Sequence, residues 1–265
     1  MTDVQCLKRY GGGAHDRPTL LYAGDDDLDR AAVYLSSIIY SNGYNFDYIP
    51  SPSPFPSHLE LERYALIILS DYPARNFSEI QLKALVDYAR RGGSVLMIGG
   101  WESYTGLMNE YTATPLADIL PVSLESNDDR RNLPQGCVVV PAFRCTEKLK
   151  TLDWMAPPLI GGYNQITPRT RSTVHLIGKK LVIGNSDGLQ LGILPEEIPL
   201  LVSKPCRKGF AAALAFDLAP HWIGGMVDWG LQRRRIDFND GFIEVGDLYL
   251  DFVSKLLSFA INKGE

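Results

Sequence analysis

The sequence predicts an α/β fold, with a parallel sheet covered by helices on both faces in the first half and a β-rich second half. Two observations lead there. Over the first 125 residues, short apolar runs alternate with amphipathic helical stretches. Those runs are close to continuously apolar, as strands buried on both faces require. From about residue 135, short β-type runs dominate instead.

The elements follow in order. "TLLYAG" (19–24) is the first buried strand. Asp25 to Asp29 lead into a helix whose Leu28, Ala31, Ala32, Leu35, Ile38 and Ile39 share one face, with Asp27 suited to cap it. Asn42-Gly43 ends that helix, and "YNFDYIP" is the second strand. "SPSPFPS" is too proline-rich for regular structure, and "RYALIILS" (63–70) is the third strand. Ser78 with Gln81 three residues on has the form of a capping box. The helix behind it is expected to bury Ile80, Ala84, Leu85 and Tyr88, and Arg90-Arg91-Gly92-Gly93 stops it. "SVLMIG" (94–99) is the fourth strand. Later come "CVVVPAF", "TVHLIG", "KLVIGN", "IPLLVSK" and "FAAALAFD", the last two flanking the hairpin turn "PCRKG". A C-terminal helix aligns Tyr249, Phe252, Val253, Leu256, Leu257 and Ala260. With no long linker, residues 1–265 are expected to form one domain, its β-rich half extending the same sheet and residues 1–18 flexible.

Composition narrows the function classes. A net charge of -5 argues against nucleic acid or an anionic membrane as the main partner. No run of about 18 apolar residues suggests a membrane span, and the N-terminus lacks a signal peptide's apolar core, so the cytoplasm is expected. Cys6, Cys137, Cys145 and Cys206 include no CxxC pair, which points to reduced thiols rather than a zinc site.

In open parallel sheets, ligands bind beyond the carboxyl ends of the strands. Here those ends carry Asp25, Asp26 and Asp27; then Asp71; then Gly99, Gly100, Trp101, Glu102, Ser103 and Tyr104; and later Asp217, His221 and Trp222. The acids have the chemistry to hold Mg²⁺ or act as phospho-acceptors, but capping and solvation are the expected roles, so no metal or cofactor is assigned. Gly99-Gly100 permits a sharp turn or a close approach of helix to strand, and its amides can face an anion. Trp101 either stacks on a planar ligand or packs. His221 has Asp217 nearby to orient its ring, or it bonds a backbone group at a helix start. His58 at a polar helix start and His175 in an alternating strand are expected to be structural or solvated, and His15 lies in a glycine-rich N-terminus.

Six phrases in order over residues 64 to 222 carry a family resemblance: "ILSDYPA", "RRGGSVLMIGGWESYTG", "TPLADILPV", "DDRRNLPQG", "PPLIGGYNQ" and "AFDLAPHW". Together they resemble the class I glutamine amidotransferase-like family, which implies a flavodoxin-like, mostly parallel sheet flanked by helices. A working class I amidotransferase needs a Cys on the strand-to-helix elbow, activated by His with an acidic partner. The matching elbow is "IGGWES", with Gly100 or Trp101 where Cys would sit, and the acid expected two residues after His221 is Ile223. The resemblance therefore carries the fold and not the glutaminase chemistry. Ser103 is a replacement candidate, though late on the elbow.

Three readings follow. One is a non-hydrolytic domain binding a small molecule or partner around Asp71, Gly99, Gly100, Trp101, Glu102, Asp217 and His221. Another is an enzyme with His221 as base, assisted by Glu102 or Asp217. The third is a structural subunit, and self-association into a homo-oligomer is compatible with all three.

Overall fold

The computed structural model describes residues 7–11, 17–107, 110–184, 188 and 190–264; Cys6 and His15 lie outside them. Strand β1 (Lys8–Tyr10) precedes the first βαβ unit, built of β2 (Thr19–Gly24), α1 (Ala32–Ser41) and β3 (Asn45–Ile49). A second unit follows: β4 (Leu66–Ser70), α2 (Glu79–Arg91) and β5 (Ser94–Ile98). The β-rich half comprises β6 (Val122–Ser123), β7 (Arg130–Pro141), α3 (Glu147–Lys150), β8 (Leu159–Asn164) and β9 (Thr167–Pro168). It continues through β10 (Thr173–Gly184), β11 (Gln190–Ile193), β12 (Ile198–Cys206) and β13 (Gly209–Leu214). Last come α4 (Pro220–Val227), the hairpin β14 (Arg233–Phe238) and β15 (Gly241–Gly246), and α5 (Asp247–Ile261).

One sheet runs in the order β1-β3-β2-β4-β5-β13-β12-β10-β7-β8, with β11 added on β10. The block β3-β2-β4-β5-β13 is parallel throughout. From β12 outward every pairing is antiparallel, so the second half extends the same sheet. Every residue of β4, β5 and β13 is buried, which explains their unbroken apolar sequences. The chain leaves β2 toward β3 on one side and later builds β4 and β5 on the other. Right-handed crossovers therefore put α1 and α2 on opposite faces. α1 packs against α5, and α2 against β5 and β13.

The local signals at α2 hold in detail. Ser78 and Gln81 form both bonds of the capping box, and Gly92 ends the helix at φ 133°. Its buried stripe, however, is Leu82, Leu85, Val86, Tyr88 and Ala89. Ile80 is 79% exposed, because it lies two residues before Leu82, about 200° around the helix. At α1 the helix begins only at Ala32. Asp27 therefore does not cap it: Ala32 N–H bonds the Asp27 carbonyl across a wider turn, and the Asp27 side chain accepts from Asp29 N–H. His58 is exposed in a turn before a short 3-10 helix rather than at an α-helix start.

"TVHLIG" and "KLVIG" form one long strand, because Gly178 stays within the ladder opposite Val139 and Ile198, and Asn185 lies outside the described residues. The "PCRKG" turn joins β12 to β13 as its sequence suggests. The six apolar residues named on the C-terminal helix are all buried. His175 is structural: its Nδ1 accepts from Thr146 N–H at 3.2 Å and its Nε2 meets Ser203 Oγ at 2.8 Å. Burial pulls its pKa down to about 4, so the ring is neutral. Cys137, Cys145 and Cys206 are buried free thiols. No described helix is long and apolar enough to cross a membrane.

Candidate functional site

Because β2, β4, β5 and β13 are adjacent and parallel, their carboxyl ends share one edge. Asp25 follows β2, Asp71 follows β4, Gly99 to Glu102 follow β5, and Asp217 follows β13. Between β2 and β4 the strand order reverses, which makes the crevice there the expected ligand position of an open α/β sheet. Asp25 and Asp71 flank it, and both adopt left-handed backbone conformations, at φ 48° and 47°. Aspartate tolerates that region better than most residues because its short side chain bonds locally.

The elbow is shaped by close approaches. Gly100 has φ 154°, and a Cβ there would stand 2.1 Å from Asp71 Oδ1. At Gly99 a Cβ would meet Asn164 Oδ1 at 2.6 Å. Glu102 N–H donates to Asp71 Oδ1 at 2.7 Å, and the backbone N–H of Trp101 also serves the Asp71 carboxylate. The elbow amides thus face an anion belonging to the protein itself.

Asn164, at the end of β8, clasps the elbow from the other side. It accepts from Gly100 N–H at 2.9 Å and donates to the Gly100 carbonyl at 3.0 Å. The same amide nitrogen donates to Asp129 Oδ1 at 2.8 Å, and Asp129 accepts from Thr105 N–H at 2.9 Å and Gly106 N–H at 3.2 Å. Asn164 and Asp129 are fully buried. Neither stood out among the candidates, although each lies in a phrase that carried the resemblance.

The candidates separate by environment. Ser103 is buried; its hydroxyl donates to the Ile98 carbonyl at 2.6 Å and accepts from Asp71 N–H at 3.1 Å. It bolts the elbow to the end of β4. Glu102 is ion-paired with Arg75, which also holds Glu110 at 2.7 Å. Trp101 is 53% exposed, with the His221 ring T-shaped to it at 5.5 Å between centroids and the Arg130 guanidinium 4.9 Å over its face. His221 Nδ1 stands 3.9 Å from Asp217 Oδ2, beyond a hydrogen bond. The edge therefore brings together Asp71, Gly99, Gly100, Trp101, Glu102, Asp217 and His221, with Asp25 added.

Its electrostatics are those of crowded, buried acids. Burial raises Asp25 to about 6, with the hydroxyls of Tyr22 and Ser70 partly opposing the rise. Burial, then the charge of Asp25, raises Asp71 to about 7. Asp217 is held well above the usual carboxylate range, first by burial and then by the charges of Asp71 and Asp25. Among the described thiols, burial lifts Cys137 and Cys145 to about 11 and also raises Cys206. All three are poor thiolates and lie in or beside the antiparallel strands.

A family model described as "Putative glutamine amidotransferase" matches residues 24–236. A cytoplasmic protein from Salmonella typhimurium superposes with TM-score 0.68 and 24% identity, covering 91% of this chain and 98% of that one. A second cytoplasmic protein, from Salmonella typhimurium LT2, gives TM-score 0.67 and 24% identity over 91% of this chain and 99% of its own. Both likenesses show a shared fold. No curated protein sequence matches.

Proposed function

The chain belongs to this glutamine amidotransferase-like family, and from that premise we propose that it is a cytoplasmic ligand-binding domain that has kept the scaffold and lost the glutaminase reaction. The observation that carries the reading is the Asp71 carboxylate seated against the amides of Trp101 and Glu102. In acyl transfer, such elbow amides must hold the oxyanion of the tetrahedral intermediate. A resident carboxylate there opposes that intermediate by both occupancy and charge.

Among the described residues, independent observations speak against a nucleophile at the elbow. Gly100 has no side chain, the Ser103 hydroxyl is buried and doubly bonded, and the described thiols are buried with raised pKa values. What the edge retains is a binding geometry: an exposed aromatic face at Trp101, an accessible imidazole at His221, and polar groups below them. The cytoplasmic reading draws on the two Salmonella structures, both named as cytoplasmic proteins.

Two measurements test this. Incubation with glutamine should release no ammonia above the buffer blank. A thermal-shift screen of small molecules should find hits that Trp101→Ala or His221→Ala weakens, since a ligand at a hundred times its Kd adds about 2.7 kcal/mol. Ammonia release that disappears in His221→Ala would overturn the reading in favour of an enzyme. A screen without hits would favour a structural subunit.

A further inference from the structure

The other edge of the sheet, where β5 and β13 begin, gathers positive charge. There α2 ends in Arg90 and Arg91, and the turn between β12 and β13 brings Arg207 and Lys208 beside them. With Asp87 these four line an open cavity of about 570 Å³, within the size range of small-molecule sites. One acid thus faces four cations, in a chain whose net charge is -5. Backbone contacts hold the two segments together. Lys208 N–H donates to the Arg90 carbonyl at 3.3 Å, and Phe210 N–H to the Gly93 carbonyl at 3.0 Å. Gly209 sits so close to the end of α2 that a Cβ would stand 2.0 Å from the Ala89 carbonyl oxygen. The turn cannot leave the helix without breaking these contacts, so the like charges stay gathered.

Cations in the last turn of a helix ordinarily serve its terminal carbonyls. Here backbone amides already do so. Gly93 N–H bonds the Tyr88 carbonyl at 3.0 Å, Gly92 N–H bonds the Ala89 carbonyl at 3.4 Å, and Lys208 N–H takes that of Arg90. Arg91 is ion-paired with Glu62 at 2.8 Å. The side chains of Arg90, Arg207 and Lys208 have no hydrogen-bond or ion-pair partner among the described residues. Arg207 also holds a left-handed backbone conformation, at φ 55°, which glycine or asparagine adopts with less strain.

We propose that Arg90, Arg207 and Lys208 bind the phosphate groups of a small phosphorylated molecule, whose remainder lies in the cavity toward Asp87 and Arg91. Two guanidinium forks match phosphate oxygens in pairs, and the ammonium of Lys208 adds a point charge. A small anion suits the site better than nucleic acid does. The four cations surround one concavity rather than a track, and the acidic chain as a whole repels a long polyanion. This site lies at the opposite edge from the elbow and does not depend on the role proposed there.

The test titrates the full chain with pyrophosphate by calorimetry at constant ionic strength, with citrate and a short DNA duplex as comparison probes. The expected result is saturable binding of pyrophosphate, weaker by roughly tenfold or more in Arg207→Asn and in Arg90→Gln. Arg207→Asn should stay folded, because asparagine tolerates the left-handed backbone of that turn. Binding should be unchanged in Arg30→Gln, which removes the same charge from the opposite edge, and in Trp101→Ala at the elbow. The inference is overturned if pyrophosphate does not saturate, or if Arg207→Asn and Arg90→Gln both bind it as the wild type does. It is overturned equally if Arg30→Gln or Trp101→Ala weakens binding as much, or if citrate or the duplex binds more tightly than pyrophosphate.

Discussion

Asp129 and Asp217 are both buried aspartates along the same edge of the sheet, one supplied by the antiparallel half and one by the end of the parallel block. Asp129 is met by Asn164, Thr105 and Gly106. Asp217 is served by the backbone N–H groups of Trp222 and of Asp217 itself, while its Oδ1 has no hydrogen-bond partner among the described residues. The contrast separates two uses of a buried charge. Where donors are built in, the acid fixes geometry, here the elbow. Where fewer are built in, burial instead holds the acid's pKa above the usual carboxylate range.

The comparison breaks most visibly at Asn164. Asn164→Ala should cost about 3–5 kcal/mol by urea unfolding, since it strands the Gly100 amide and carbonyl and weakens the Asp129 contacts. A loss under about 1 kcal/mol would mean the clasp does not hold the elbow. Next comes Gly100→Cys, which restores a thiol at the elbow but drives its Cβ toward Asp71. It should destabilise by about 2–3 kcal/mol and still release no ammonia from glutamine.

Asp217→Asn should shift stability the other way, making the protein more stable than the wild type above neutral pH. A carboxyl group whose folded pKa is raised stabilises fully below its unfolded value near 4, and that contribution is lost as pH rises through the folded value. With Asp71 raised to about 7 and Asp217 also raised, the wild-type melting temperature should fall relative to the variant from about pH 4 to pH 7 and above. Melting curves that run parallel across that range would remove the buried-charge description of Asp217. The smallest effect is expected at Trp101→Ala, within about 0.5 kcal/mol, because a half-exposed ring at the mouth contributes to binding more than to folding.

The parallel block was legible because its signals are local. A strand such as "SVLMIG", the capping box at Ser78 and Gln81, and the cation-glycine stop of α2 each sit within a few residues. Ile80 shows the limit of that reading, since a short amphipathic segment admits more than one apolar stripe. The hairpin of β14 and β15 went unread, although Asn239, at φ 54° before Asp240 and Gly241, supplies turn chemistry for it. At the candidate site, the elbow and its neighbours could be singled out because they follow strand ends. Asn164 and Asp129 were not, because the Asn164–Gly100 bonds span 64 residues and the Asn164–Asp129 bond 35. In sequence Asp129 sits within a charge run, yet it is fully buried. Asp25 was likewise taken for a cap, where folding puts it beneath the edge.

The Asp71 carboxylate against the elbow amides also bears on how this scaffold changes over generations. Placing a cysteine at position 100 would have to displace an internal anion, and displacing that anion without a cysteine would leave two amides and Asp71 itself unserved. Each single step is therefore unfavourable although the two together need not be. On the proposed reading this behaves like a ratchet: single substitutions at the edge would restore the elbow of a glutaminase only with difficulty.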